Sequence, residues 1–174
     1  MIASVADRFI ALLKTVYESR FSDISKQQPI TQASAANRID ALLRKTVNEG
    51  GEIVFGGKRD EYNPHRFQPT IFTKAEGTEL HTTESFAPFL SISIVDTVDD
   101  AIEVANHGDY GLSSAIWTRD YYNALKIARS INAGYATSIL RRRLGTNTDI
   151  ILDTCISTVP LSTMKARCRT EETS

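Results

Sequence analysis

Between residues 90 and 140 the chain alternates short apolar, β-branched runs with stretches whose apolar residues recur at helical spacing, and this order constrains the fold more than any other feature. Residues 90–95 alternate apolar and polar positions, as a half-buried strand does. Thr97 can cap a helix whose inward side would be Val98, Ala101, Ile102 and Ala105. Gly108 and Gly111 punctuate the loop that follows, and residues 113–118 read as a buried strand. Asp120 opens a further helix through Tyr121, Ala124, Leu125 and Ala128, closed by Gly134, and residues 135–140 form the last strand. Parallel neighbours in a sheet need long crossovers, and helices supply them while covering the sheet faces. The pattern therefore predicts an α/β fold with an open, mostly parallel sheet and flanking helices.

Upstream, Val5, Phe9, Leu12, Leu13 and Val16 give one apolar stripe along a first helix. Asp7 and Glu18 argue against reading that helix as an organellar presequence, which avoids acidic residues. A second helix should begin near Thr31 and turn Ile39, Leu42, Leu43 and Val47 inward. Gly50-Gly51 stops it, because glycine accepts the left-handed conformation a helix end requires. Residues 52–55 then read as a short strand and Gly56-Gly57 as a turn; residues 68–73 read as a second strand, with Pro69 at its start where no ladder donor is needed.

Several classes of function find no support. A formal net charge of −1 gives no reason to expect nucleic acid or a membrane surface as partner, and the apolar runs are too short to span a bilayer. Cys155 and Cys168 form no CxxC pair and fit a reduced, cytoplasmic setting. His65, His81 and His107 are scattered in sequence and away from both thiols, so no metal site is expected. No GxGxxG, P-loop or GxSxG pattern occurs. Every aromatic residue lies at or before Tyr135, and Gly145 is the one glycine after it. Residues 137–174, with the triplet Arg141-Arg142-Arg143, are therefore read as a divergent, weakly structured tail.

One short segment stands out. Glu84-Ser85-Phe86-Ala87-Pro88 lies just before the clearest strand. A carboxylate at a strand end can accept hydrogen bonds from the two vicinal hydroxyls of a ribose, as dinucleotide sites do elsewhere. A glutamate in such a loop is more often simply solvated.

The segment resembles the E-x-F-G-P motif of the aldehyde dehydrogenase superfamily, and its surroundings resemble that family in the same order. Gly50 through Gly57 is similar to the family's helix-to-strand passage with its Gly-Gly turn, and Phe67-Gln68-Pro69-Thr70-Ile71 to its P-T-[IVL] strand. Asp99-Asp100-Ala101-Ile102 with Ala105-Asn106, then Tyr110-Gly111-Leu112-Ser113, Trp117-Thr118-Arg119-Asp120 and Ala133-Gly134 follow at near-family spacing. The resemblance covers residues 1–136 and implies part of an aldehyde dehydrogenase catalytic domain. It implies an NAD- or NADP-dependent oxidation of an aldehyde to a carboxylic acid, with Glu84 on the nicotinamide ribose and Phe86 beside the nicotinamide.

Ala87 stands where the family has glycine, so a backbone that needs positive φ there would have to shift. The family's nucleophilic cysteine segment lies before the first helix seen here, and its general-base glutamate further upstream. The expectation is thus a chain without catalytic residues of its own, inactive alone, with exposed apolar surface around Leu90, Ile92 and the first helix. The alternative is a non-catalytic partner of full-length aldehyde dehydrogenase subunits.

Overall fold

The computed structural model describes residues 1–143 and 149–156. Its elements run in the order α1 (Ala3–Phe21), a short 3₁₀ turn (Ile24–Lys26), α2 (Ala33–Asn48), β1 (Glu52–Phe55), β2 (Thr70–Thr73), α3 (Glu79–Thr82) and β3 (Phe89–Ile92), then α4 (Val98–Ala105), β4 (Ser113–Thr118), α5 (Tyr121–Ser130), β5 (Tyr135–Arg143) and β6 (Asp149–Ile156). The chain divides into two compact units, residues 1–104 and 105–174. This is a mixed α/β fold with small sheets and flanking helices.

The first unit holds a sheet in the order β1-β2-β3, the second a sheet in the order β4-β5-β6. Pairing is mixed within each. β2 runs parallel to β3, with Thr70 opposite Phe89, and β4 parallel to β5, with Ser113 opposite Tyr135. β1 lies antiparallel on β2 and β6 antiparallel on β5. The parallel pairs are those whose connection passes through a helix, α3 in one unit and α5 in the other, as parallel geometry demands. The alternation expected between residues 90 and 140 is therefore present in order, with its strands divided between two hydrogen-bonded sheets. β5 continues to Arg143, three residues past the expected end. Of the tail read from sequence, residues 144–148 and 157–174, Cys168 included, lie outside the described residues.

The core of the first unit forms where α2 lies against β2. Ile39, Leu42 and Leu43 are buried on α2, and all four residues of β2 are buried. Phe72 sits among Leu42, Leu43, Ala75 and Leu80, with its ring edge-on to Phe89 at 5.4 Å. A second cluster joins Ala36, Ile39 and Phe67, with Ile30, Ala87 and Phe89 packed against it. Val47, expected inward, is exposed, and Thr46 takes the inward position with its hydroxyl bonded to the Leu42 carbonyl at 2.8 Å. That bond removes the cost of burying the hydroxyl.

Both glycine pairs act as the sequence suggests. Gly50 adopts φ +105°, its N–H reaches the Val47 carbonyl at 3.1 Å, and the Gly51 N–H reaches the Thr46 carbonyl at 2.9 Å. These two bonds make a Schellman end to α2. Gly56 combines φ +85° with a backbone approach so close that a Cβ would lie 2.4 Å from the Pro69 carbonyl oxygen. Here glycine is required twice over, by conformation and by space.

The helices differ from expectation in what they bury. On α1 the buried residue is Ala6, while Val5, Phe9, Leu12 and Val16 are 43% to 59% exposed. α4 buries none of its residues fully, and Ala105 is exposed. Its start follows the sequence: Thr97 accepts the Asp100 N–H through its hydroxyl, and the Asp100 carboxylate accepts the Thr97 N–H, both at 3.1 Å. β4, expected to be buried throughout, alternates: Ile116 is buried between the exposed Ala115 and Trp117. On α5, Ala124 and Ala128 are buried but Tyr121 is exposed. The Asp120 carboxylate caps that helix by accepting the N–H groups of Tyr122 and Asn123. Asn106 closes over its end, donating to the Ser130 carbonyl at 2.8 Å and accepting the Asn132 N–H at 2.7 Å.

Candidate nicotinamide site

The segment 83–88 is strung between two core anchors. On one side α3 inserts Leu80 into the Phe72 cluster; on the other, Phe89 opens β3 against both clusters. The downstream half is fixed by backbone bonds: Thr70 N–H to the Pro88 carbonyl at 2.9 Å and Phe89 N–H to the Ala87 carbonyl at 2.8 Å. The Ser85 hydroxyl accepts the Ala87 N–H at 3.3 Å, a local turn that serine favours. From α2, the Arg38 guanidinium donates to the Ser85 carbonyl at 3.1 Å.

Glu84 and Phe86 both face solvent. Glu84 is exposed and makes no hydrogen bond or ion pair among the described residues. Phe86 is 78% exposed and adopts φ +51°. A large exposed aromatic side chain and a left-handed backbone each oppose stability, and their coincidence is the kind of local strain that clusters at functional positions.

The glycine-to-alanine difference at 87 resolves differently from expectation. Ala87 is not among the positive-φ residues; the left-handed conformation falls on Phe86 instead. Ala87 is half-buried against the Ala36, Ile39 and Phe67 cluster, where its methyl adds to the packing. The loop accommodates alanine without strain at that residue.

The exposed acceptor at Glu84 and ring at Phe86 are of the kind the riboside end of a nicotinamide cofactor would take. An unengaged carboxylate offers acceptors for vicinal hydroxyls, and an exposed ring two residues on offers an apolar surface. The Gly56-Gly57 turn offers no phosphate cradle: Gly56 is taken up by the approach to Pro69 and Thr70, and the Gly57 N–H is bound to the Thr70 hydroxyl at 2.9 Å. No cluster of three or more His, Cys, Asp or Glu residues suited to a metal ion exists among the described residues. No helix among them is long and apolar enough to cross a membrane. Cys155 lies on β6, in the second unit, and Glu84 in the first. Arg38 carried no signal in the sequence, because its contact reaches across 47 residues to a backbone carbonyl.

Fold, motif order and loop together define the class. The chain belongs to the aldehyde dehydrogenase family, whose sequence pattern it matches over residues 2–138. Among relatives, it is 32% identical over 138 residues to a lactaldehyde dehydrogenase of Methanocaldococcus jannaschii, covering 75% of this chain and 28% of that protein. It is 36% identical over 106 residues to the lactaldehyde dehydrogenase of Methanococcus maripaludis, covering 61% and 22%. In structure it is similar to succinic semialdehyde dehydrogenase from Streptococcus pyogenes, solved with NADP+ (TM-score 0.69, 26% identity, 79% of this chain and 31% of that one). It is likewise similar to the glyceraldehyde-3-phosphate dehydrogenase GapN of Methanocaldococcus jannaschii complexed with NADP (TM-score 0.67, 28% identity, 79% and 31%). The chain thus spans about a quarter of the length of the curated relatives it matches.

Proposed function

We propose that these residues supply the nicotinamide-facing part of an aldehyde dehydrogenase catalytic domain, serving NAD- or NADP-dependent oxidation of an aldehyde to a carboxylic acid. The Glu84 carboxylate accepts hydrogen bonds from the ribose hydroxyls, and Phe86 packs beside the nicotinamide ring. The bound cofactor supplies the hydride acceptor; the protein's part here is to hold and orient it. The family portion runs over residues 1–136, and residues 137–174 are a divergent segment. The observation that carries this reading is the loop 83–88 within the family-matched stretch, which leaves one carboxylate and one aromatic ring unengaged at the start of β3.

Residues 2–138 contain no cysteine, so carbonyl attack by thiolate has to use a group from outside them. The expectation for the chain by itself is inactivity toward aldehydes, since the sequence sets neither Cys155 nor Cys168 beside a base. Lactaldehyde and related small aldehydes are the substrate class suggested by the similar enzymes. A cytoplasmic location is consistent with the sequence, and nucleic acid and membrane are not among the proposed partners.

A second reading is favoured by the exposed stripe of α1: association with full-length aldehyde dehydrogenase subunits, without catalysis by this chain. Co-purification with such a subunit, abolished by Leu12→Lys, supports it.

The primary test is ligand-observed NMR with NAD+ and NADP+ on the purified chain, alongside Glu84→Gln. Charge-assisted hydrogen bonds to an exposed diol account for about a tenfold change in affinity. Equal binding by the wild-type chain and Glu84→Gln refutes the assignment of Glu84. Reduction of NAD+ by an aldehyde on the purified chain, lost in Cys155→Ala or Cys168→Ala, refutes the inactivity.

A further inference from the structure

We infer that Arg38 is a positioning residue for the loop: through the Ser85 carbonyl it sets the left-handed backbone at Phe86 that turns Glu84 and Phe86 to their ligand. The inference rests on the proposed riboside contact.

The φ angle of Phe86 describes how the Ser85–Phe86 peptide plane is turned relative to the rest of Phe86. Downstream, the chain is already fixed, with Ala87 packed against the Ala36, Ile39 and Phe67 cluster, the Ala87 carbonyl bonded to Phe89 N–H, and the Pro88 carbonyl bonded to Thr70 N–H. Holding the Ser85 carbonyl in one direction therefore leaves Phe86 one value of φ, and that value is +51°. The group that holds it is the Arg38 guanidinium, at 3.1 Å.

A residue carrying a Cβ does not adopt this conformation unaided; the surroundings must impose it. The contacts that impose it from outside the loop are Arg38, the cluster of Ala36, Ile39 and Phe67 under Ala87, and the Thr70 N–H on the Pro88 carbonyl; α2 supplies Ala36, Arg38 and Ile39. α2 in turn is the best-buried helix of the first unit, with Ile39 1% exposed, so the loop inherits its position from the core. Arginine suits the task because its planar fork keeps a fixed direction when donating from an exposed site.

The contact is on the surface, so its loss should change the loop and not the fold. In the ligand-free chain, positive φ brings the Phe86 amide proton unusually close to its own Hα, which a strong intraresidue NOE reports. Arg38→Ala should reduce that NOE to the intensity of extended backbone while leaving the melting temperature and the remaining amide spectrum in place. Nicotinamide riboside, which lacks the phosphates and so probes this end alone, should bind Arg38→Ala about five- to tenfold more weakly, because apparent affinity falls with the fraction of competent loop. Arg38→Lys, which keeps a donor but not the fork, should restore part of both readouts.

Persistence of the Phe86 NOE in Arg38→Ala overturns the inference, and so does its loss without any change in riboside affinity. The riboside reading fails separately: if Glu84→Gln binds nicotinamide riboside as the wild-type chain does, the site assignment falls. The NOE still decides what Arg38 holds. If Arg38→Ala loses the whole dispersed spectrum, Arg38 is a folding residue and the inference is likewise overturned.

Discussion

α1 and α2 look alike as sequences and differ as structures. Each is a helix with apolar residues every three or four positions, and each invites the same reading of one inward stripe. On α2 that stripe is covered: Ala36, Ile39, Leu42 and Leu43 are buried against β2 and its neighbours. On α1, Val5, Phe9, Leu12 and Val16 face outward, while the face toward the protein is Ala6 with the half-buried Ile10, Leu13, Tyr17 and Phe21. Tyr17 packs edge-on to Phe21 at 5.0 Å and to Phe55 at 5.7 Å, which fixes that face inward. Apolar periodicity shows that a helix has a stripe to cover; it does not say which surface does the covering. A helix carrying two stripes leaves one of them over.

The largest expected effect tests the covered side. Phe72→Ala removes a fully buried ring and should cost about 3–5 kcal/mol in a chemical denaturation series. Phe9→Ala on α1, where nearly half the side chain is already in water, should cost less than about 1 kcal/mol. Equal losses would mean that the α1 stripe is covered in solution, and the contrast between the helices would disappear. Leu12→Lys sharpens the same point through light scattering: self-association should fall while the denaturation midpoint stays in place.

An intermediate effect comes from the turn that presses on β2. Gly56→Ala must place a methyl 2.4 Å from the Pro69 carbonyl oxygen at positive φ, and should cost about 2–4 kcal/mol by the same measurement. A smaller loss would show that the turn can move away from the covered strand.

The smallest effect separates two phenylalanines three positions apart. Phe89→Ala empties a place in both core clusters and should behave as a core truncation. Phe86→Gly should change stability by less than about 0.5 kcal/mol, because relief of the left-handed strain offsets the entropy glycine adds to the unfolded chain. A marked loss in Phe86→Gly would mean that its ring packs on the protein in solution.

The reading of particular elements shows where sequence is sufficient. Several caps and stops are local and were legible: Thr97 at α4, Asp120 at α5, and the Gly50-Gly51 end of α2 all depend on residues within five positions of one another. The start read near Thr31 was not, since α2 begins after Gln32 without a side-chain cap bond, and α5 ends at Ser130, short of Gly134. The site loop was legible as a motif, Glu84 to Pro88, and its family resemblance carried the fold. Its conformation was not legible. Placing the strain at residue 87 follows from comparing residue types, but the strain sits at Phe86 because Ala87 has a core to fill and Ser85 is held from another helix. Val47 and Thr46 exchanged places for a similar reason, since a threonine that bonds its own helix can be buried where the stripe needs it.

By itself the sequence determined the family, the order of most strands and helices (α3 and β6 were not read), and several of the positions where the chain must turn or stop. All of these are set by steric limits and hydrogen bonds between near neighbours along the chain, or by motifs read in order. Only the tertiary structure decided which stripe of α1 is covered, how the strands divide into sheets, and how Glu84 and Phe86 are presented. Those depend on surfaces that meet across dozens of residues, where packing selects among faces that the local pattern leaves equivalent.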